Sequence, residues 1–159
     1  MAENGSSQQR LAALAEAFAT RIPFHQLIGL HFRYVDQDRC ELVFDMKEQL
    51  VGNYVQGILH GGVIATALDV AGGTMAAAGL IQKHVDASEE ELALRMGKLG
   101  TIDLRIDYLR PGWGKQFCAS ASLLRGGNKV AVSRMELHNE RNELIAAVSY
   151  THLTLPTKR

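Results

Sequence analysis

Between Glu48 and Lys83 the chain carries one formally charged residue, Asp69. It lies inside ILHGGVIATALDVAGGTMAAAGL, residues 58–80, which from Gly62 onward is almost wholly Val, Ile, Leu, Met, Ala and Gly. A helix built from such a run is apolar on every side and belongs in a core, not on a surface. The run is long enough to cross a bilayer by length alone. Asp69, His60 and the glycines make it a poor span, and the alternating segments that follow call for a soluble core to pack on. An ionised carboxylate costs several kcal/mol to bury without partners, so Asp69 is expected to be paired, to be protonated, or to face a wet cavity. A merely structural, hydrogen-bonded Asp is the competing reading.

The start of the same run carries a second feature. Gly61 and Gly62 follow His60 and place unobstructed N–H groups at a helix start, where the first turn has no intrahelical acceptors. Such an end binds anions and developing oxyanions. His-Gly-Gly with Asp seven positions after the second Gly, in HGGVIATALD, resembles the active-site helix of hotdog-fold thioesterases of the PaaI type. The resemblance implies that Asp69 is the general base or nucleophile, that the Gly61 or Gly62 amide polarises the thioester carbonyl, and that His60 shapes the turn. It also implies substrate contacts in the preceding loop. The family's Asn stands six residues before the His, where this chain has Tyr54, so Asn53, Gln56 and Gly57 are the candidates nearby. Arg110, Arg125 and Lys129 flank turns, positions that in the family often meet the phosphates of coenzyme A; an exposed turn cation that is merely solvated is the alternative. Coenzyme A is here part of the substrate, and no resident cofactor is implied.

Helix geometry adds an expectation about assembly. At 1.5 Å per residue Gly61 and Asp69 are about 12 Å apart along one helix, too far to act on one carbonyl. Two copies related by a two-fold axis would bring the Gly61 end of one to Asp69 of the other. The hotdog resemblance implies this homodimer, or a tetramer built from two of them, with the sheets continuous through the strand at residues 101–109.

The remaining sequence narrows the alternatives. One domain fits 159 residues. The net charge is zero with no basic run, so neither nucleic acid nor an anionic membrane surface is an expected partner. Cys40 and Cys118 form no paired motif, which suits a reduced, cytoplasmic setting. The polar start of the chain has no secretory pattern. The six His lack metal spacing, so no metal site is expected, and His25 and His31 read as surface or edge residues. No G-x-S-x-G elbow supplies a serine nucleophile.

Taken in order, Ser7 is positioned to cap an amphipathic helix within residues 1–22, with Leu11, Leu14, Phe18 and Ile22 inward and Pro23 ending it. Phe24, Leu27 and Ile28 are expected to anchor the passage to a hairpin in which Leu30, Phe32 and Tyr34 and then Leu42, Phe44 and Met46 alternate. After the buried helix, Ser88 and Glu91 form a capping box for a second helix within residues 83–100. Strands follow at 101–109, 116–123 and 129–138, and a last one begins near Glu143. On the strand at 101–109, Asp103, Arg105 and Asp107 read as cross-strand pairing residues, with Ile102, Leu104, Ile106 and Tyr108 on the other face. The whole is an α+β domain at 23–148, a curved antiparallel sheet around a central helix. The insertion at 83–100, VGNY and GTIDLRIDYLRPG resemble the YigI-like branch of the family over residues 23–147. That branch implies medium- or long-chain acyl groups and a place in fatty acid metabolism; the insertion itself is expected to border the acyl pocket. A hydratase or dehydratase of acyl thioesters and a non-catalytic acyl-coenzyme A-binding module are the rivals. Residues 148–157, VSYTHLTLPT, match one frame of a transposase adapter used in DNA library preparation. Residues 149–159 are therefore expected to be a non-native tail, with no site role for His152; resequencing the source gene tests this.

Overall fold

A computed structural model describes residues 2–127 and 129–154, with side chains described for residues 7–127 and 129–148. Among the described residues, eight strands and four α-helices, with a 3-10 turn at Glu48–Leu50, follow in the order α1 (Ala2–Arg21), α2 (Pro23–Ile28), β1 (His31–Val35), β2 (Arg39–Asp45), β3 (Val51–Asn53), β4 (Ile58–Leu59), α3 (Gly61–Lys83), α4 (Glu89–Met96), β5 (Gly100–Tyr108), β6 (Gln116–Gly126), β7 (Val130–Asn139) and β8 (Leu144–Thr154). Six strands make one antiparallel sheet in the order β1-β2-β6-β7-β8-β5, and α3 packs across its inner face, chiefly on β6 and β7. This is the α+β hotdog arrangement.

Alternation fills the inner face. Leu42 stands opposite Ala119 and Phe44 opposite Phe117; all four are buried, and the two rings stack at 5.5 Å, a pairing worth about 0.5–1.5 kcal/mol beyond its area. Ala119 and Ala121 are small where α3 crosses, and Ala67, Leu68, Ala71, Met75 and Ala78 of α3 join them in one core. At Gly72 the approach leaves no room for a side chain, since a Cβ would lie 2.6 Å from Met135 Cε. Polar groups in this layer are satisfied: the Thr74 hydroxyl donates to the Val70 carbonyl at 2.7 Å, and the Cys40 thiol to that of Ala71 at 3.5 Å. By length and composition α3 could span a membrane, but most of its apolar window is buried inside this domain.

Several local expectations are corrected. The first helix begins at Ala2, so Ser7 is a buried residue within it and not its cap. Pro23 takes the first position of the short helix α2, of which Ile28 is buried while Phe24 and Leu27 stay exposed. His25 is buried, its ring Nδ1 meeting the Phe18 carbonyl at 2.9 Å, because α2 folds back on α1. Ser88 caps α4 as expected, its Oγ accepting the Glu91 N–H at 3.2 Å, while the Glu91 carboxylate accepts from Arg95. The β3–β4 ribbon was not legible, being only three and two residues long.

β5 is an edge strand, paired on one side with β8. Its register against β8 shifts between Thr101 and Asp103: two steps on β5 match one on β8. A bulge of this kind flips the side-chain alternation. Leu104 and Ile106 therefore pack on the core, whereas Ile102, expected beside them, is 55% exposed. The backbone of β8 runs on to Thr154. The expected non-native tail at 149–159, with His152, lies outside the residues whose side chains are described.

Candidate active site

The turn into α3 is held from both sides. The His60 N–H donates to the Leu50 carbonyl at 2.8 Å and the Leu59 N–H to that of Gly112 at 3.0 Å. A Cβ at Gly52 would lie 2.5 Å from His60 Cα, so the β3–β4 ribbon can close on the turn only with glycine there. The His60 ring caps the helix, its Nδ1 accepting the Gly62 N–H at 2.7 Å, which requires that nitrogen to be unprotonated. The His60 carbonyl accepts from Val63 and Ile64. Tyr108 at the end of β5 donates its hydroxyl to the Gly61 carbonyl at 2.9 Å. Of the two amides expected to face an oxyanion, Gly62 is thus engaged by His60, while the Gly61 N–H has no acceptor among the described residues. The helix end that would polarise a carbonyl comes down to Gly61.

Asp69 is two turns further on. It is only half-buried within one chain, not enclosed on every side as an all-apolar helix implies. The reason is topological. The face of α3 bearing Ala65, Thr66, Asp69 and Gly73, all half-buried, lies toward the edge strand β5 and not under the middle of the sheet. There Thr101, turned inward ahead of the bulge, donates its hydroxyl to Asp69 Oδ1 at 2.7 Å. The other carboxylate oxygen has no partner among the described residues. Neither Thr101 nor Tyr108 is among the site residues that the sequence suggests; both contacts link residues more than thirty positions apart, and the Thr101 contact depends on the bulge.

The remaining candidates are distributed unevenly. Asn53 is spent on its own turn: its Oδ1 accepts the Val55 and Gln56 N–H groups at 3.1 and 3.2 Å, and its carbonyl accepts from Gly57 at 2.7 Å. Gly57 is left-handed there, with φ 68°, a conformation that favours glycine. Gln56 is exposed at the loop tip beside Tyr54, which is 92% exposed. Arg110, just past β5, donates to the Leu144 carbonyl at 2.9 Å and ties β5 to β8. Arg125 and Lys129 are exposed at the β6–β7 turn, which Lys83 holds by donating to the Gly126 and Gly127 carbonyls. That is the far end of α3 from Gly61, about 33 Å along its axis. Asp103, Arg105 and Asp107 are exposed and make no ion pair among the described residues; His152, the β8 residue opposite Asp103, lies outside the residues whose side chains are described.

Chemically, the arrangement offers a free helix-end amide and an oriented carboxylate with one open oxygen, about 12 Å apart along α3. A reacting carbonyl must be within about 3 Å of its oxyanion donor and in near-attack contact with the base. One chain supplies each half and cannot bring the two together. Two hollows found elsewhere, of about 330 Å³ on the outer face of the sheet and about 440 Å³ between α1 and β1, touch neither residue.

Comparison with known proteins places these features in context. Residues 56–146 match the family described as the Thioesterase superfamily. The chain is 45% identical over 148 residues, 93% of its length and 96% of the relative's, to the medium/long-chain acyl-CoA thioesterase YigI of Escherichia coli K12. A crystal structure of a Shewanella oneidensis protein related to the thioesterase superfamily superposes with a TM-score of 0.90 at 46% identity, covering 96% of this chain and 99% of that one. The PaaI protein from the E. coli phenylacetic acid degradation operon superposes at 0.73 with 16% identity, covering 94% and 95%, a likeness of fold alone.

Proposed function

The chain belongs to the thioesterase superfamily and is a thioester hydrolase, and from that premise we propose that it cleaves medium- or long-chain acyl-coenzyme A at sites shared between two copies. Each site takes the Gly61 amide from one copy and Asp69 from the other. The observation that carries the proposal is the Thr101–Asp69 contact. It fixes the one carboxylate of the apolar helix by one oxygen, leaves the other without a partner among the described residues, and ties the carboxylate to β5, the edge strand along which a second copy would dock.

The chemistry follows from these groups. Water held by the open oxygen of Asp69 attacks the thioester carbon while its proton passes to the carboxylate. The carbonyl electrons move onto oxygen, which accepts the Gly61 N–H at the positive end of the helix dipole. Collapse of the tetrahedral intermediate breaks the C–S bond, and the departing thiolate takes a proton, giving free acid and coenzyme A. Direct attack by Asp69, through an anhydride that water then opens, is the covalent version of the same geometry. His60 acts by holding the turn, since its ring is committed to Gly62. Support for the acyl class comes from the relative named for medium/long-chain acyl-CoA.

Thiol release followed with a chromogenic disulfide, over straight-chain and aromatic acyl-coenzyme A and acyl-carrier-protein substrates, tests the proposal. Free coenzyme A appearing from straight-chain acyl-coenzyme A is the expected result. Hydration of an enoyl thioester without thiol release, or binding without turnover, would overturn it.

A further inference from the structure

The neighbours along the Asp69 face of α3 change in a definite order. On the Gly61 side are Thr66, whose hydroxyl returns to the Gly62 carbonyl at 2.9 Å, and Tyr108 of β5, whose hydroxyl donates to the Gly61 carbonyl. Four residues past Asp69, and so on the same face, comes Gly73, where a Cβ would meet nothing within 4 Å. The packed glycine beside it, Gly72, is filled by Met135. Three residues beyond Gly73 the face closes: Ala76 and Leu80 are buried against Leu92 of α4, with the half-buried Met96 and Leu99 packed on them. Open space beside the reacting carboxylate therefore ends at an apolar wall, and the wall belongs to the insertion between α3 and β5.

That wall is braced from a distance. Arg10 of α1, its side chain only 16% exposed, donates Nε to Glu89 at 2.8 Å, Nη1 to the Val85 carbonyl at 2.8 Å and Nη2 to the Ala87 carbonyl at 2.9 Å. Ser88 caps α4, and Arg95 pairs with Glu91 at 2.7 Å. Leu99 precedes by two residues the threonine that orients Asp69, so wall and reacting group share one short segment.

We infer that Gly73 is the throat of the acyl channel and that Met96 and Leu99 are its end wall, held in place by Arg10, so that α4 sets the longest acyl chain accepted. The inference rests on the acyl-coenzyme A reading of the site. The polar side of the face suits the pantetheine arm, the apolar side the acyl chain. From Asp69 to Ala76 is about 10 Å along the axis, the reach of a medium-length acyl chain; a longer one must displace Met96, the most pliant residue of the wall.

The test is the chain-length profile of kcat/KM from butanoyl- to hexadecanoyl-coenzyme A, with melting curves and size-exclusion profiles for each variant. Gly73→Leu should lose long-chain turnover on the order of 10–100-fold more than butanoyl turnover, the range one to two methylenes command in a pocket. Met96→Ala combined with Leu99→Ala should move the optimum to longer chains. Arg10→Met, remote from substrate, should flatten the profile while leaving butanoyl turnover in place. Gly73→Ala, whose methyl enters open space, gives a smaller shift in the same direction and serves if the leucine variant does not fold. Wild-type protein releasing no thiol from any acyl-coenzyme A would defeat the functional reading itself. An active wild type whose profile is unmoved by the Gly73 and wall variants would overturn the inference alone, as would a Gly73→Leu variant that falls to monomers.

Discussion

Replacing Thr101 by Val removes one hydroxyl and almost no volume, and that hydroxyl is the only described partner of Asp69. Its 2.7 Å bond to a carboxylate is charge-assisted, worth about 1.5–3 kcal/mol in a protected site. Thr101 is exposed within one chain, so the effect on stability should fall well below that range. Catalysis should suffer more, because a misplacement of about 1 Å in a reacting group can cost on the order of 10²-fold. Freed from Thr101, Asp69 can rotate about its side-chain bonds and its open oxygen no longer faces a fixed point. Steady-state thiol release should show kcat reduced by about 10–100-fold with KM little changed, and Thr101→Ser, which restores the donor, should recover most of the loss. A valine variant keeping more than half of the wild-type kcat, or a serine variant as impaired as valine, would refute a positioning role.

Two further outcomes follow from the core. Leu68 is fully buried on α3 beneath the sheet, and Leu68→Ala should cost about 2.7–5 kcal/mol in denaturant unfolding; a loss below about 1 kcal/mol would mean the helix is not seated as described. Burial pushes the Cys40 thiol from 9.0 up to about 12, so native protein at pH 8 should leave Cys40 unlabelled by thiol reagents until it unfolds, with Cys118, half-buried, modified first. The folded state then holds the Cys40 proton where the unfolded state has lost it. That contribution to stability is complete below about pH 9 and is lost as pH rises toward about 12, which alkaline unfolding midpoints of Cys40→Ala against wild type should register as a reduced pH dependence.

The sequence made α3 legible because the absence of charge between Glu48 and Lys83 is a strong signal, and the glycines after His60 marked its start. The setting of Asp69 was not legible, since an all-apolar helix implies burial on all sides only if the sheet covers every side. Which side stays open depends on β5 crossing to the far edge beyond β8, a long-range choice that no local pattern records. The inward turn of Thr101 depends on a one-residue bulge within a strand whose plain alternation pointed to Ile102. His60 taking the Gly62 amide was hidden for a different reason: Ser, Thr, Asp and Asn are the usual caps, so a histidine ring in that role gives no familiar signature. Arg10 reaches across more than seventy residues to the α4 insertion, a contact that follows from packing and not from spacing.

The central claim is that an oxyanion amide and a base from different copies meet at one site, and subunit complementation tests it most directly. Asp69→Asn removes the base in a nearly isosteric way and should cost about 10²–10⁴-fold in rate. Gly61→Pro removes the amide that has no acceptor among the described residues, at a helix position where proline is well tolerated, after a His60 already in an extended conformation, and should cost on the order of 10²–10³-fold. Mixed and allowed to exchange subunits, the two dead variants form heterodimers with one doubly damaged site and one intact site. Recovered thiol release approaching a quarter of the wild-type rate, as random pairing in equal amounts gives, is the predicted result. Two folded variants that stay inactive after verified exchange would contradict the shared site.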